Sequence, residues 1–281
     1  MKKAWQFYTG KVLLGSGIPW VRNLLAHHWT TGGTGLVGTK RWIFGGLSRA
    51  LDSRYYRPKA STEEREQLKA MCMSKSSAVE WAKAYLKRGF PEPQTAVIAM
   101  FDGIEHTLKS GTIHRVHQVA CCSAREIGWF ARRYPSIQFT GSDCDTDLMV
   151  FLKDHWRGLE NLDFQILRME SPPNSLSCDL MYASGGLHYL DPETLVRFLV
   201  WARPRVKRLY LSQPLDRDFD PTASKHSKGR GMLSWNHPYT RLLKEAGFAS
   251  VTSKEGILEK LPGVKNYSAF ASDYAAPPSV L

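Results

Sequence analysis

Residues 116–149, VHQVACCSAREIGWFARRYPSIQFTGSDCDTDLM, carry the pattern from which the fold of this chain is predicted. Two β-rich runs, near 116–121 and 137–143, alternate with helical patterns near 125–134 and 145–157. Such alternation is typical of βαβ units, whose right-handed crossovers produce a parallel sheet with helices on both faces. The stretch therefore predicts the first two strands of an α/β domain.

The same rhythm continues towards the C-terminus. The other predicted elements are strands near 162–168, 178–184 and 206–212 and helices near 191–203 and 236–247. Two last β-rich runs, Ala249–Thr252 and Tyr267–Ala271, are spaced in a way that permits an antiparallel hairpin. The predicted fold class is α/β, with a doubly wound, mainly parallel sheet, an antiparallel terminal strand and an N-terminal helical extension.

Charge separates the N-terminal part of the chain from the rest. The 281 residues carry a net charge of +12, and residues 1–60 hold ten Lys/Arg against a single acid, Asp52. With 43% apolar residues, the chain can bury a sizeable core, which excludes a disordered or fibrous protein. We predict a basic, Gly- and Trp-rich extension at 1–60, a helical subdomain or lid at 61–110 and a Rossmann-like domain at 111–281.

Helical patterns are also present before the α/β part. Residues Trp20–His28 form a short amphipathic pattern, and Ser61, followed by acids, predicts a capped helix start. One or two helices are expected to run to about Arg88, and another over Thr95–Leu108. The amphipathic segment either packs on the main domain or binds an anionic membrane surface or an acidic protein partner. Basic and aromatic residues in the same extension also suit contact with RNA.

Cysteine usage and hydropathy indicate the cellular compartment of the protein. The five cysteines are scattered and show neither a disulfide framework nor zinc spacing, so we expect a reducing, cytoplasmic setting and no metal site. Near the N-terminus the charge-free run Val12–Val21 has 10 residues, short of the roughly 20 that cross a bilayer. Peripheral association with a membrane and organelle targeting remain open alternatives.

A candidate ligand site lies where the first two predicted strands end. Open α/β sheets bind ligands outside the carboxyl ends of their strands, at the point where strand order reverses. The small-residue turn at Cys122 and the acid Asp143 are 21 residues apart. That spacing is close to the roughly 20 residues between a nucleotide-binding turn and the acid that holds ribose hydroxyls. The pattern therefore predicts a site for an adenosine-type ligand.

Two further segments extend the pattern, SLSCDLMYASGGLHYLDPETLVRFL at 175–199 and VKRLYLSQPL at 206–215. Together with 116–149 they resemble the S-adenosylmethionine (SAM)-dependent methyltransferase superfamily, whose doubly wound sheet ends in an antiparallel strand. The resemblance implies SAM as cofactor, with Asp143 on the adenosine ribose and the 120–124 turn along the methionine part. The cofactor-binding residues that it implies are Gln118, Ala120, Cys122, Ala124, Asp143, Met169, Glu170 and Ser184, of which Met169 and Glu170 would lie by the adenine.

The turn departs from the family pattern, which has an acid and two or three glycines. Here Gln118, Ala120, Cys122 and Ala124 stand at those places. Alanine adds only a methyl group, so we expect the loop to form if no position requires a positive φ angle. Cys122 is the largest departure. Two outcomes are open: a pocket that binds SAM in an altered turn, or one that has lost it.

Two histidines are candidates for the base that removes the acceptor's proton. His188 follows the fourth predicted strand, in the loop that faces substrate in the family that this chain resembles. His237 stands in a His-Pro-Tyr segment that resembles presumed sugar O-methyltransferases. The alternative for each is structural: His188 packs locally, and Asn236 caps the helix with Pro238 in its first turn.

The leading functional hypothesis is SAM-dependent methyl transfer to a hydroxyl or amine of a small molecule or glycan. A catalytically inactive, methyltransferase-like scaffold or subunit is the first alternative, favoured by the missing glycines. An RNA methyltransferase is the second, and the absence of a DPPY-type motif after the fourth strand weakens it. The polar segment Asp216–Met232 is long and follows the carboxyl end of a strand, which is typical of a mobile lid or substrate loop. Its acids lack the Gly and Glu of a calcium loop, so a solvated loop is expected rather than a calcium site.

Overall fold

The computed structural model describes Ile43, Leu47 and residues 50–53, 55–56, 60–61, 63–65, 75–87, 95–231, 233–257 and 263–272. The predicted amphipathic helix at Trp20–His28 lies outside these residues. The helix start predicted at Ser61 is confirmed, since the Ser61 hydroxyl accepts a hydrogen bond of 3.1 Å from the Glu64 amide. None of the described helices is long and apolar enough to cross a membrane.

The chain divides into two compact units. The first comprises Met1–Trp81 with Gly229–Ser234, and the second Ala82–Lys228 with Trp235–Leu281. In the first unit, four side chains at helical spacing are buried: Leu47, Ala50, Leu51 and Tyr55. The Tyr56 hydroxyl joins this segment to the 229–234 insertion, because it accepts a 3.0 Å hydrogen bond from the Gly231 amide.

The helices and strands of the structure follow the predicted alternation closely. The helices are α1 (Lys75–Lys87), α2 (Thr95–Lys109), α3 (Arg125–Arg133), α4 (Thr146–His155), α5 (Pro192–Ala202) and α6 (Tyr239–Glu245). The strands are β1 (Arg115–Val119), β2 (Gln138–Asp143), β3 (Leu162–Ile166), β4 (Cys178–Ser184), β5 (Val206–Asp216), β6 (Lys228–Gly231), β7 (Ser234–Asn236), β8 (Ser250–Ile257) and β9 (Val264–Ser272). Short 3₁₀ turns cover Leu187–Tyr189 and Arg203–Arg205.

Seven strands form one sheet in the order β3-β2-β1-β4-β5-β9-β8, while β6 and β7 pair separately. Every neighbouring pair from β3 to β5 is parallel, and β9 runs antiparallel to both β5 and β8. The predicted fold class is confirmed, including the antiparallel terminal strand and the β8–β9 hairpin. Strand β5 extends to Asp216 rather than to 212, because β9 pairs with it as far as Asp216 and Val264.

Helix packing fixes the layers around this sheet. Helix α3 buries Ile127, Phe130 and Ala131, the apolar face that its spacing predicts. Its Gly128 lies against the Trp156 indole so closely that an added Cβ would come within 2.4 Å of the ring. On the sheet, the Tyr210 hydroxyl donates a 3.1 Å hydrogen bond to the carbonyl of Gly103 in α2.

Helix boundaries test the predicted caps. Asp145 caps α4 as expected, since its carboxylate accepts a 2.8 Å hydrogen bond from the Leu148 amide. The helix predicted near 236–247 is present but shorter, because α6 spans Tyr239–Glu245. Asn236 belongs to β7 and does not cap the helix; its amide bridges to Asp216, donating to the carboxylate and accepting from the backbone at 2.8 Å each.

Candidate functional site

The carboxyl ends of β1, β2, β3 and β4 meet at one edge of the sheet. Strand order reverses between β1 and β4, which are neighbours although β2 and β3 lie between them in sequence. Registers align these ends, with Val119 opposite Ser142 and Asp143 opposite Ile166. In open α/β sheets this position is the ligand-binding crevice.

The loop between β1 and α3 has an unusual backbone. Ala120, Cys122 and Ala124 adopt φ angles of 51°, 47° and 53°, in the left-handed region. The condition set for this loop from the sequence, that no position requires a positive φ, is therefore not met. Each such residue costs roughly 1–2 kcal/mol when it is not glycine. Tertiary contacts therefore hold the loop in this shape, among them a 2.9 Å hydrogen bond from the Cys121 amide to the Ser142 carbonyl.

Asp143, at the tip of β2, is directly bonded to that loop. One carboxylate oxygen accepts the Cys122 amide at 3.2 Å, and the other accepts the Cys144 amide at 2.8 Å. Burial raises the pKa of the carboxyl, and the two amide hydrogen bonds oppose that rise. The turn and the acid that the sequence places 21 residues apart are thus in contact.

The Cys122 thiol beside this acid is not activated as a nucleophile. Burial is the main cause that raises the pKa of Cys122 to about 12, and the nearby Asp143 carboxylate adds to it. A thiol with so high a pKa stays protonated at neutral pH and is a poor nucleophile. Among the described residues no cluster of His, Cys, Asp and Glu could hold a metal ion.

The turn after β4 closes the crevice on its other side. Gly185 and Gly186 have φ angles of 79° and 85°. A Cβ added at Gly186 would lie 2.3 Å from the Cβ of Ala120, so the β1 loop and the β4 turn are in van der Waals contact. Ser184, half-buried at the end of β4, stands beside this contact.

Gln118 lies beneath the loop rather than at its surface. The side chain is 1% exposed, accepts a 3.1 Å hydrogen bond from the Tyr182 hydroxyl and donates one of 3.5 Å to Glu126. It therefore connects β1, β4 and α3 from within the core. This geometry favours support of the loop over direct contact with a ligand.

Met169 and Glu170 lie in the connection that follows β3, at the same edge of the sheet. Both are half-buried. The connection is tied to β2 by a 2.9 Å hydrogen bond from the Leu167 amide to the Asp143 carbonyl. The predicted cofactor residues after β1, β2, β3 and β4 are thus brought to one edge.

His188 lies in the 3₁₀ turn after β4 and is 7% exposed. Its Nδ1 and its backbone amide are both 3.3 Å from Oε1 of Gln213 in β5. The Tyr189 ring covers the imidazole at a centroid distance of 4.0 Å. The ring is thus held at the edge of the sheet where the candidate ligand site lies.

His237 is fully buried and both of its ring nitrogens have partners. Nδ1 lies 2.8 Å from the Ser227 hydroxyl, and Nε2 lies 3.1 Å from the Leu190 carbonyl. A carbonyl only accepts, so Nε2 carries the proton and Nδ1 accepts from Ser227. Burial lowers the pKa of His237 to about 3. These contacts favour a structural role, in which His237 fastens the loop before β6 to the turn after β4.

Gln213 is the polar residue of this site that sequence reasoning missed. It follows the predicted end of the fifth strand, in the segment Leu-Ser-Gln-Pro-Leu, and nothing local separates it from an ordinary strand residue. Its partners, Ala183, Gly185 and His188, are 25 to 30 residues away. Because these partners lie so far along the chain, the sequence carries no local signal for the role of this residue.

Solved structures with the same fold include a presumed O-methyltransferase and a domain crystallised with the product of SAM. A presumed O-methyltransferase from Nostoc punctiforme PCC 73102 matches with a TM-score of 0.56 and 14% identity, over 90% of this chain and 72% of that chain. The N-terminal domain of EvdMO1, crystallised with S-adenosylhomocysteine (SAH) and D-fucose, gives a TM-score of 0.50 at 13% identity, over 71% of this chain and 97% of that domain. At these identities the likeness establishes the methyltransferase fold.

Sequence comparison adds nothing to the structural matches. No family model matches the chain, and no curated protein matches it.

Proposed function

We propose that this protein is a SAM-dependent methyltransferase that modifies a hydroxyl, or an amine, of a small molecule or glycan. The observation that carries the proposal is the contact between the β1 loop and the Asp143 carboxylate at the switch point of a methyltransferase-type sheet. SAH in the EvdMO1 crystals supports SAM as the cofactor. The presence of D-fucose with one of those crystals supports a sugar-like acceptor.

The residues present fit the adenosine half of SAM better than its methionine half. Each Asp143 oxygen holds one backbone amide and keeps lone pairs that can accept ribose hydroxyls. At the methionine half, Ala120 and Cys122 carry side chains where the related family has glycine. The proposed site is therefore narrower there, and the Ala120–Gly186 contact contributes to this narrowing.

In the proposed reaction, SAM supplies an electrophilic methyl carbon when it is bound. The chain's own part is to align the acceptor, exclude water and take up the acceptor's proton. His188 is the proposed base, because it lies in the turn after β4 at the edge that carries Asp143. We assign His237 a structural role, because both of its nitrogens are engaged.

The test is calorimetry of the full chain with SAM and with SAH. We expect the wild-type protein to bind both and Asp143→Ala to lose binding, because the ribose acceptor is gone. Asp147→Ala, which removes an exposed carboxylate from the first turn of α4, is the matched control and should bind like the wild type. No heat and no thermal shift from a folded wild-type protein at millimolar ligand would refute the proposal.

A non-catalytic scaffold is the second candidate, and the β1 loop is the observation that favours it. Three non-glycine residues hold positive φ angles there, and the loop touches the turn after β4. If the site no longer binds SAM, this shape of the β1 loop causes no loss of activity. The calorimetry separates the two candidates, since only the methyltransferase binds SAM.

For residues 1–60 we propose contact with an anionic surface, either a membrane or RNA. The ten basic residues against one acid support this, because phosphates attract such a segment. Flotation with phosphatidylserine vesicles and retention on RNA, each at two salt concentrations, distinguish the two partners. Replacing Lys2, Lys3 and Lys11 by Gln should weaken the binding, and unchanged binding would contradict the proposal.

A further inference from the structure

We propose that Gln213 is a positioning residue that fixes the His188 ring in the Nδ1–H tautomer, so that Nε2 is the basic nitrogen. The inference rests on the proposed function for its purpose, since a general base needs a lone pair on a defined atom. The tautomer itself is inferred from the hydrogen bonds among β4, β5 and the turn between β4 and α5.

The amide of Gln213 can take only one orientation. The side chain is fully buried, and its nitrogen lies 3.2 Å from the Ala183 carbonyl and 3.0 Å from the Gly185 carbonyl. Carbonyl oxygens accept and never donate, so the NH₂ group must face them. A flipped amide would place an oxygen against two carbonyl oxygens, a buried repulsion without any compensating bond. The amide oxygen of Gln213 therefore faces the other way, towards His188.

That oxygen determines where the His188 ring carries its proton. Oε1 accepts from the His188 backbone amide at 3.3 Å, and it lies 3.3 Å from Nδ1. An amide oxygen has no proton to give, so the contact with Nδ1 is a hydrogen bond only if Nδ1 is protonated. In the neutral imidazole the second nitrogen, Nε2, then holds the lone pair. The tautomer is thus set by two backbone carbonyls through the intervening amide.

The backbone of the turn makes this arrangement rigid. Gly185 and Gly186, with φ angles of 79° and 85°, direct the Gly185 carbonyl to Gln213 and bring His188 back towards β5. The Gly185 amide is itself held by the Ser212 carbonyl at 2.7 Å. Tyr189 covers one side of the ring. A ring confined in this way keeps one tautomer, which spares a base the cost of reorienting during the reaction.

Ring-labelled histidine in the full-length protein gives a direct test by ¹⁵N and ¹³C NMR, because the two tautomers have different ring shifts. The chain has nine histidines, and the signal lost in His188→Gln identifies the right one. We expect the Nδ1–H signature in the wild type and its loss in Gln213→Leu, which presents no oxygen to Nδ1. Asn266→Leu is the matched control: it removes a buried amide bonded to Ser212 Oγ at 2.7 Å and should leave the tautomer unchanged.

The outcomes separate this inference from the proposed function. An Nε2–H ring in the wild type overturns the inference even if Gln213→Leu does not fold, and so does an unchanged tautomer in a folded Gln213→Leu. SAM calorimetry of the same samples is read independently. A wild type with the Nδ1–H signature and no SAM binding refutes the proposed function but supports the role of Gln213, whereas SAM binding with an Nε2–H ring does the reverse.

Discussion

The contact between Ala120 and Gly186 can be tested by adding a methyl group at position 186 and removing the one at position 120. Gly186→Ala adds two costs: the strain of a non-glycine residue at a φ of 85°, about 1–3 kcal/mol, and a 2.3 Å approach of its Cβ to that of Ala120. Overpacking of this kind costs about 1–3 kcal/mol more. In an Ala120→Gly background the nearest remaining atom is the Cα of residue 120, at 3.8 Å, an ordinary contact. The second cost should then disappear.

We therefore expect Gly186→Ala to lower the free energy of unfolding by about 2–6 kcal/mol alone but by only about 1–3 kcal/mol beside Ala120→Gly. The coupling energy between the two positions should thus be about 1–3 kcal/mol. Urea unfolding followed by tryptophan fluorescence and by far-UV circular dichroism measures both, provided that the two probes give coincident transitions.

Gly185→Ala is the matched control for this cycle. Its φ of 79° imposes similar strain, but the nearest atom to its added Cβ is Cε1 of His188 at 4.0 Å. Its cost should be the same with Ala or Gly at position 120. The proposed Cβ contact is contradicted if Gly186→Ala lowers the free energy of unfolding by no more than Gly185→Ala does. It is also contradicted if the changes in that free energy caused by Gly186→Ala and Ala120→Gly are additive within about 0.5 kcal/mol.

Two further predictions concern stability. Burial lowers the pKa of both His117 and His237 to about 3, so between pH 6.5 and 3 the unfolded chain binds protons that the folded chain does not. The free energy of unfolding should therefore fall as the pH drops below 6.5, by at most about 1.4 kcal/mol per pH unit for each histidine, and His117→Gln should flatten the profile between pH 6.5 and 5; an unaltered slope would contradict the assignment. Gly128→Ala gains about 1 kcal/mol of helix propensity, yet it should lower Tm because its Cβ meets the Trp156 ring at 2.4 Å. Gly158→Ala, whose added Cβ has nothing within 4 Å, is the control. A Tm of Gly128→Ala equal to or above that of the wild type would show that the Trp156 indole moves aside.

The class of fold, and the edge of the sheet at which the candidate site lies, could be predicted from the amino-acid pattern alone. Alternating β-rich and helical runs place β1, β2, β3 and β4 because hydrophobic period and chain length are local properties. The pairing of Cys122 with Asp143 also followed from spacing, since parallel strands joined by one helix bring their carboxyl ends together. Asp145 was predicted as a cap because capping involves only neighbours along the chain.

The finer chemistry of the site depends on contacts that exist only in the folded chain. The positive φ angles of Ala120, Cys122 and Ala124 are imposed by contacts with β2 and the turn after β4, and a local rule for alanine predicts the opposite. The engaged nitrogens of His237 and the oriented amide of Gln213 depend on partners 10 to 47 residues away. Proton positions and backbone strain are set by such distant contacts, because a buried polar group takes whichever partner the packed chain brings to it.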